Sequence, residues 1–478
     1  MDFQNDYRML IGGELVAGSA TLDVVNPANE EVIARVPDAT RDDLDKAIDA
    51  ARKAFPAWSA TPIAERKAKL AALGQAIMAN ADPLMRLLTT EQGKPHAESQ
   101  GEVMGAGYWL MAASQLDLPV TVNEDSDDRY SETRHVPLGV VGAIAPWNFP
   151  MILAMFKVGP ALLAGNTMVL KPSPFTPLST LKFGELAAEL LPPGVLNIIT
   201  GGDDLGPWMT SHPGFDKISF TGSTATGKRV MQSAAPTLKR VTLELGGNDA
   251  AIVMPDVDVE KVAEELFWAA FRNNGQICIA TKRMYVHKDI YDQLRDALVA
   301  YAKTVKVGDG SEQGTQIGPI NNKQQYARVL ELIQDAKDKG YKFLVGGEKA
   351  DVPGYFVPVT ILDNPPEDAR IVQEEQFGPV LPLLKFDDVD DVVARANATD
   401  YGLGGSVWGN DEDKAFEIAQ RIASGTVWVN ETQHLSPMAA FGGMKQSGVG
   451  VEGGIEGLLE YTNAQTIVRK KRKEAVPA

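Results

Sequence analysis

The chain has 478 residues, of which 44% are apolar and 7% aromatic, enough to bury the cores of about two or three domains. Its 46 Lys and Arg face 63 Asp and Glu, a formal charge of -17, which disfavours nucleic acid as a partner because phosphate binding needs clustered positive charge. A single cysteine excludes an internal disulfide and suits a reducing compartment.

The opening residues "MDFQNDYRMLIGGELV" lack the basic and apolar regions of a signal peptide. No run of about 18 apolar residues is present to span a membrane. A cytoplasmic location with no membrane partner is expected. From about Asp42 to Trp109, apolar residues recur at three- and four-residue spacing, which predicts amphipathic helices. In "PVTVNEDSDDRYSETRHVPLG" two alternating runs flank an acidic turn, which predicts a β-hairpin.

Short apolar runs then alternate with helical stretches: "GVVGAIAP", "TMVLKPS", "VLNIIT", "KISFTGS" and "RVTLELGG" read as strands. Alternation of this length predicts βαβ units and a parallel sheet, with ligands at the carboxyl ends of the strands. A second α/β block runs from about Asn248 to Lys445. The tail carries a β-like run and the basic cluster "KKRK", read as a solvated end.

Four stretches bear chemistry. Cys278 follows Asn273, Asn274 and Gly275 in a turn after the helix "EKVAEELFWAAF". A lone cysteine is ordinarily a small buried hydrophobe; as a nucleophile it needs nearby donors or positive charge to form thiolate. Glu244 sits between Leu243 and Leu245 at a strand end, where it is either a satisfied structural carboxylate or a general base with a pKa raised by burial. Asn148, between Pro146 and Pro150, either ties down its own turn or offers an amide to a developing oxyanion. "FTGSTATGKR" satisfies most of a P-loop pattern, but Arg229 stands where a magnesium-binding hydroxyl is required. A strand, a small-residue turn and a helix start remain, suited to a phosphate. Five His with no ligand spacing predict no metal site.

Taken in order, "PWNFP", "KPSPFTP", "FTGSTATGK", "LELGGN", "GQICIA", "EEQFGPV" and "FGGMKQSG" resemble the aldehyde dehydrogenase superfamily over essentially the whole chain. The resemblance implies an α/β fold. A Rossmann-like parallel-sheet cofactor domain would take residues 1–118 and 138–246, with 447–464 returning to it. An α/β catalytic domain would take 247–446, and a small β oligomerisation element 119–137 and 465–478. It implies NAD(P)-dependent oxidation of a small-molecule aldehyde to the acid, by a homodimer or homotetramer.

By the same resemblance Cys278 is the nucleophile, Asn148 and the Cys278 backbone N–H hold the oxyanion, and Glu244 activates water. Trp147, Lys171, Ser173, Gly222, Ser223, Gly246, Glu375 and Phe377 match the cofactor positions. Phe149, Ile152, Phe156, Ile277, Ile279, Leu435 and Phe441 match those lining a substrate tunnel. That set is apolar, and "NETQHLSPMAAF" holds no Arg or Lys to pair a substrate carboxylate. A medium-sized aliphatic or aromatic aldehyde is therefore expected, with Gln433 and His434 free to bind a hydroxyl. A coenzyme A-acylating relative and a non-catalytic structural relative are the alternatives; the intact Glu244, Cys278 and Asn148 set disfavours both.

Two positions depart from the family pattern. Pro174 replaces a Glu common in "KPSE", and "GVE" replaces "GRE", leaving Glu452 without a preceding Arg. Without the Glu, NAD is expected as the main cofactor, with NADP tolerated better than by a Glu-bearing relative.

Overall fold

The computed structural model describes residues 6–472. The "KKRK" tail and the proposed 465–478 element therefore lie partly outside the described residues. Two large, mostly parallel sheets organise the chain. In the first, Val140–Ile144 is central, with Thr167–Lys171 and then Leu196–Ile198 on one side, and Lys217–Thr221 and then Arg240–Glu244 on the other. Val140–Ile144 and Thr167–Lys171 are buried at every position, as sheets covered by helices on both faces require.

Chain direction reverses its walk across the sheet at Val140–Ile144, so a crevice opens at the carboxyl ends of the central strands. Each strand there ends in a loop flagged by the sequence: Pro146–Asn148, Pro172–Pro174 and Gly222–Ser223. The sheet is closed by antiparallel pieces the sequence did not announce, an N-terminal hairpin of Met9–Ile11 and Glu14–Val16 and, at the other edge, Gly448–Val449.

Between the N-terminal strands and the first sheet run four helices, Arg41–Ala60, Ile63–Ala79, Ala81–Gln92 and His96–Ala113. They fill the stretch whose periodicity predicted them. The first is capped by Thr40, which accepts from the Asp43 N–H while the Asp43 carboxylate accepts from the Thr40 N–H.

The second sheet orders Phe343–Val345, Thr360–Asp363, Val380–Phe386, Thr281–His287, Asp249–Val253, Gly404–Trp408 and Thr426–Val429, parallel except for its first strand. Leu245–Asn248 joins the two sheets directly, running from Arg240–Glu244 into Asp249–Val253. Glu244 thus sits at the junction between them.

The expected hairpin is Thr121–Asp125 with Arg129–Pro137, and Thr462–Lys470 adds to it antiparallel along nine paired residues. Among the described residues no helix is long and apolar enough to cross a membrane.

Candidate active site

Cys278 is carried by a segment that leaves helix Val259–Phe271 through a tight turn. Asn273, Asn274 and Gly275 all have positive φ, at 48°, 57° and 71°. Asn tolerates this conformation better than most residues, and a Cβ at Gly275 would lie 2.2 Å from the Gly378 carbonyl oxygen. The turn therefore needs the residues it has.

Hydrogen bonds tie this segment to the loop after Val140–Ile144. The Asn148 amide donates to the Gln276 carbonyl at 2.9 Å, and the Asn273 amide donates to the Asn148 carbonyl at 3.1 Å. Because Nδ2 carries two hydrogens, one remains for the cavity that Asn148 and Cys278 both line.

Four residues that the sequence reading passed over hold this arrangement. Lys94 and Glu102 form an ion pair at 2.6 Å with both side chains fully buried. The Lys94 ammonium also donates to the Asn148 carbonyl at 2.8 Å and lies 3.7 Å over the Phe149 ring. The Glu102 carboxylate accepts from the Met151 N–H at 2.8 Å, at the start of helix Pro150–Ala164, where the helix dipole favours a negative charge. Glu98 accepts from the Asn273 N–H, and the Gln276 side chain bridges Asn273 O and Asn321 N. The signal was "EQGKPHAESQGE", charged residues inside an otherwise core-facing helical stretch.

Glu244 is buried, and among the described residues neither of its carboxylate oxygens has a hydrogen-bond partner. Burial, then the nearby Glu452 carboxylate, push its pKa well above the usual carboxylate range, opposed by Lys157. Glu452 is itself buried and pairs with the Lys157 ammonium at 2.5 Å, which also donates to Thr221 Oγ1 at 2.7 Å. Glu452 thus has a cationic partner in Lys157, although Val451 stands where many family members carry Arg.

The Cys278 thiol is pushed up to about 12, chiefly by burial, with Lys282 opposing and Glu375, Asp249 and Glu244 adding to the rise. A thiolate here would need nearby donors or positive charge. Lys282 instead donates to the carbonyls of Ile277 and Cys278, at 2.7 and 2.9 Å. The resting thiol is neutral.

A cavity of about 450 Å³ is lined by Trp147, Asn148, Gly222, Ser223, Gly246, Cys278, Glu375 and Phe377, among others. A second, of about 810 Å³, is lined by Lys171, Ser173 and Pro174 and shares Trp147, Gly222 and Ser223 with the first. Together they form one cleft along the carboxyl edge of the first sheet.

Its details suit a dinucleotide. The Ser223 side chain caps helix Thr224–Ala234, accepting from the Thr226 N–H, which leaves a helix N-terminus at the turn. A Cβ at Gly246 would lie 2.3 Å from Glu375 Oε2, so a side chain there would push that carboxylate aside. Phe377, with φ 50°, meets Trp147 edge-on at 5.3 Å. Lys171 is buried, and desolvation lowers its pKa to about 8. Lys228 and Arg229, the P-loop-like pair, are exposed and line neither cavity.

The Aldehyde dehydrogenase family profile matches residues 15–467. The chain belongs to the aldehyde dehydrogenase family. It is 44% identical over 471 residues to a probable aldehyde dehydrogenase of a Pseudomonas species, covering 98% of this chain and 96% of the relative. It is 39% identical to a phenylacetaldehyde dehydrogenase of Pseudomonas fluorescens, covering 97% and 95%. Among solved structures, the NAD+ complex of an aldehyde dehydrogenase from Bacillus cereus superposes with a TM-score of 0.94 at 38% identity, covering 98% and 97%.

Of the residues matched to the family's tunnel, Phe149, Ile277, Ile279, Leu435 and Phe441 pack around Cys278. Ile152 and Phe156 do not join them. Phe156 stacks on Trp109 at 3.7 Å, and Ile152 packs beside Gly105, both facing helix His96–Ala113. The Gln433 amide donates to the Ala269 carbonyl, and His434 is exposed.

Two outcomes follow from this geometry. Glu102→Gln leaves the Lys94 charge buried without its partner and is expected to cost about 3–5 kcal/mol, read as a lower midpoint in urea unfolding; a loss within the range of surface substitutions would mean that the pair contributes nothing beyond its own desolvation. The second concerns Glu244. A carboxyl whose pKa is raised by folding favours the fold most below its unfolded value, and that advantage is lost as pH rises toward the folded value. Glu244→Gln has no such loss, so its Tm relative to wild type is expected to climb as pH rises above the ordinary carboxyl value of 4.5. A pH-independent difference in calorimetry would show that the fold does not raise the Glu244 pKa.

Proposed function

We propose that this chain oxidises a medium-sized apolar or aromatic aldehyde to its carboxylic acid, with NAD as the cofactor and Cys278 as covalent catalyst. The supporting observation is that the one thiol of the chain and a rigidly held amide, Asn148, line a single cleft beside a buried carboxylate without partners.

Lys171 and Ser173 would bind the adenosine end, Gly222 and Ser223 the pyrophosphate, and Glu375, Phe377, Gly246 and Trp147 the nicotinamide riboside. When bound, the nicotinamide supplies a hydride acceptor. Because the resting thiol is neutral, its sulfur adds to the aldehyde carbon as its proton moves to the carbonyl oxygen, giving a thiohemiacetal. Asn148 Nδ2 and the Cys278 N–H stabilise the negative charge that develops on that oxygen. Once the carbon has lost its hydride to that acceptor and the oxygen its proton to solvent, a thioester on Cys278 remains. Glu244 then removes a proton from water as its oxygen attacks the thioester carbon. The C–S bond breaks, sulfur regains a proton, and the acid leaves. A pKa raised above the usual carboxylate range suits a group that must both take and release that proton.

Apolar packing around the thiol by Phe149, Ile277, Ile279, Leu435 and Phe441 supports an uncharged substrate. The proposed cytoplasmic location rests on the single cysteine, which suits a reducing compartment.

Cys278→Ala is expected to abolish aldehyde-dependent absorbance at 340 nm while leaving the fold and NAD binding intact; residual turnover in pure variant would remove the thiol from the mechanism. In Glu244→Gln, thioester formation survives and hydrolysis fails, so one equivalent of reduced cofactor per site is expected in a rapid burst before a slow phase. Loss of burst and steady state together would place Glu244 before the thioester. A coenzyme A-acylating enzyme would instead consume added thiol acceptor.

Assembly into a homodimer or homotetramer through the three-stranded sheet is part of the same proposal. Thr462–Lys470 is exposed at every position after the first, with Ile467 and Val468 facing outward, and Val120 and Val122 are exposed nearby. An exposed edge strand of this length is a liability on a monomer. Truncation after Thr462, which keeps the buried Tyr461 and its bond to Ser219, is expected to give a smaller species in light scattering. A monomeric wild type would refute this assembly.

A further inference from the structure

Pro174 leaves the adenosine end of the cleft without the acidic side chain that a Glu there would provide. The neighbouring Ser173 hydroxyl accepts from the Phe175 N–H, which leaves it a proton to donate but no negative charge to offer. The same cavity, however, is lined by a carboxylate from a different loop, Asp203.

The topology explains why. Leu196–Ile198 pairs in parallel with Thr167–Lys171, with Ile198 opposite Leu170. The loops leaving their carboxyl ends, one carrying Lys171 to Pro174 and the other Gly201 to Asp204, are therefore neighbours. The second loop is anchored from below. Its Thr200 hydroxyl donates to the Pro37 carbonyl at 2.6 Å, Ala39 N–H donates to the Thr200 carbonyl at 2.9 Å, and Gly202 N–H donates to Asp38 Oδ1 at 3.1 Å. Asp203 itself is exposed, and among the described residues its carboxylate makes no hydrogen bond or ion pair. A fixed loop thus presents a free anion to the cleft that also holds Lys171.

We infer that Asp203 takes the place of the absent Glu: it accepts hydrogen bonds from the adenosine ribose hydroxyls and repels a 2′-phosphate, so that it selects NAD over NADP. The inference rests on the dinucleotide reading of the cleft given above. It replaces the tolerance of NADP expected from Pro174 alone.

The other charges around the site agree with this assignment. A 2′-phosphate carries a charge of about -1.5 to -2 at neutral pH, as other phosphomonoesters do, and would need a cation that is not already engaged. Arg328 lines the cavity but is held by Glu331 at 2.6 Å and by Glu374. Arg41 borders an adjoining hollow with Asp38, Asp203 and Asp204, and its guanidinium lies over the Trp208 ring. Lys171 faces Asp203 first and Asp38 second among the charges that favour its ammonium. Three carboxylates and one partly shared lysine do not make a phosphate site.

The test is equilibrium binding of NAD+ and NADP+, each alone, to wild type, Asp203→Asn, Asp203→Glu and Asp38→Asn, by isothermal titration calorimetry. Wild type is expected to bind NAD+ at least about 100-fold more tightly, the ratio that a charged hydrogen bond near the upper end of its range supplies. Asp203→Asn should cut that ratio by about tenfold or more, mainly by tightening NADP+. Asp203→Glu should keep it. An unchanged ratio in Asp203→Asn, or a collapse that follows Asp38→Asn instead, would overturn the assignment. Tight binding of both dinucleotides to wild type would overturn it too. Failure of wild type to bind either one is a different result, because it removes the cofactor reading itself.

Discussion

Everything at this site depends on a pair of charges that solvent never reaches. Lys94 and Glu102 are fully buried against each other. A buried pair of this kind is poor evidence of net stability, since desolvation offsets most of the attraction. Its use here is positional. One partner holds the Asn148 carbonyl and covers the Phe149 ring, and the other holds the N-terminus of helix Pro150–Ala164. The loop between them therefore has few ways to move, and its amide is delivered to the Gln276 carbonyl beside Cys278. Two loops from two different sheets are fastened at one point, and the cleft opens beside it.

The electrostatics of the cleft follow from the same burial. Burial pushes the thiol up to about 12 and the Glu244 carboxyl well above its usual range, favouring the neutral form of each. Neutral groups cost less to bury than charged ones, which lets the protein keep a dry, apolar surround of Phe149, Ile277, Ile279, Leu435 and Phe441 about the sulfur. The consequence is that proton transfer has to accompany each bond-forming step. Lys157 and Glu452 keep a compensated charge pair close to Glu244, so its protonation state responds to a neighbour as well as to solvent.

Much of this was legible from the chain alone, for identifiable reasons. Alternating strand and helix patterns predicted the central strands of the first sheet, because buried parallel strands must be short apolar runs ending in turn residues. Cys278, Asn148 and Glu244 stood out by residue type and setting, a lone thiol after a turn, an amide between two prolines and a carboxylate at an apolar strand end, whereas Gly246, Glu375 and Phe377 were matched only through the family resemblance. The helices of 41–113 were visible by periodicity, yet the roles of Lys94, Glu98 and Glu102 inside and beside them were not. A charged residue in an amphipathic pattern reads as surface until a partner from elsewhere in the chain is seen to bury it.

Sequence by itself determined which chemical groups the chain owns and where the backbone turns: one thiol, a carboxylate at a strand end, an amide between two prolines, glycines where no side chain fits. Those are local properties, set by covalent geometry and by the few residues on either side. Tertiary structure alone decided what each group meets. It separated Phe156 and Ile152 from the cluster around the thiol, because one face of a helix cannot point at two places. It turned Lys282 toward carbonyls rather than sulfur, and it set Lys157 against Glu452 across nearly three hundred residues. It also brought Asp203 into the cleft that Pro174 had left without an acid. Contacts of that range depend on strand order and register, which no short stretch of sequence encodes.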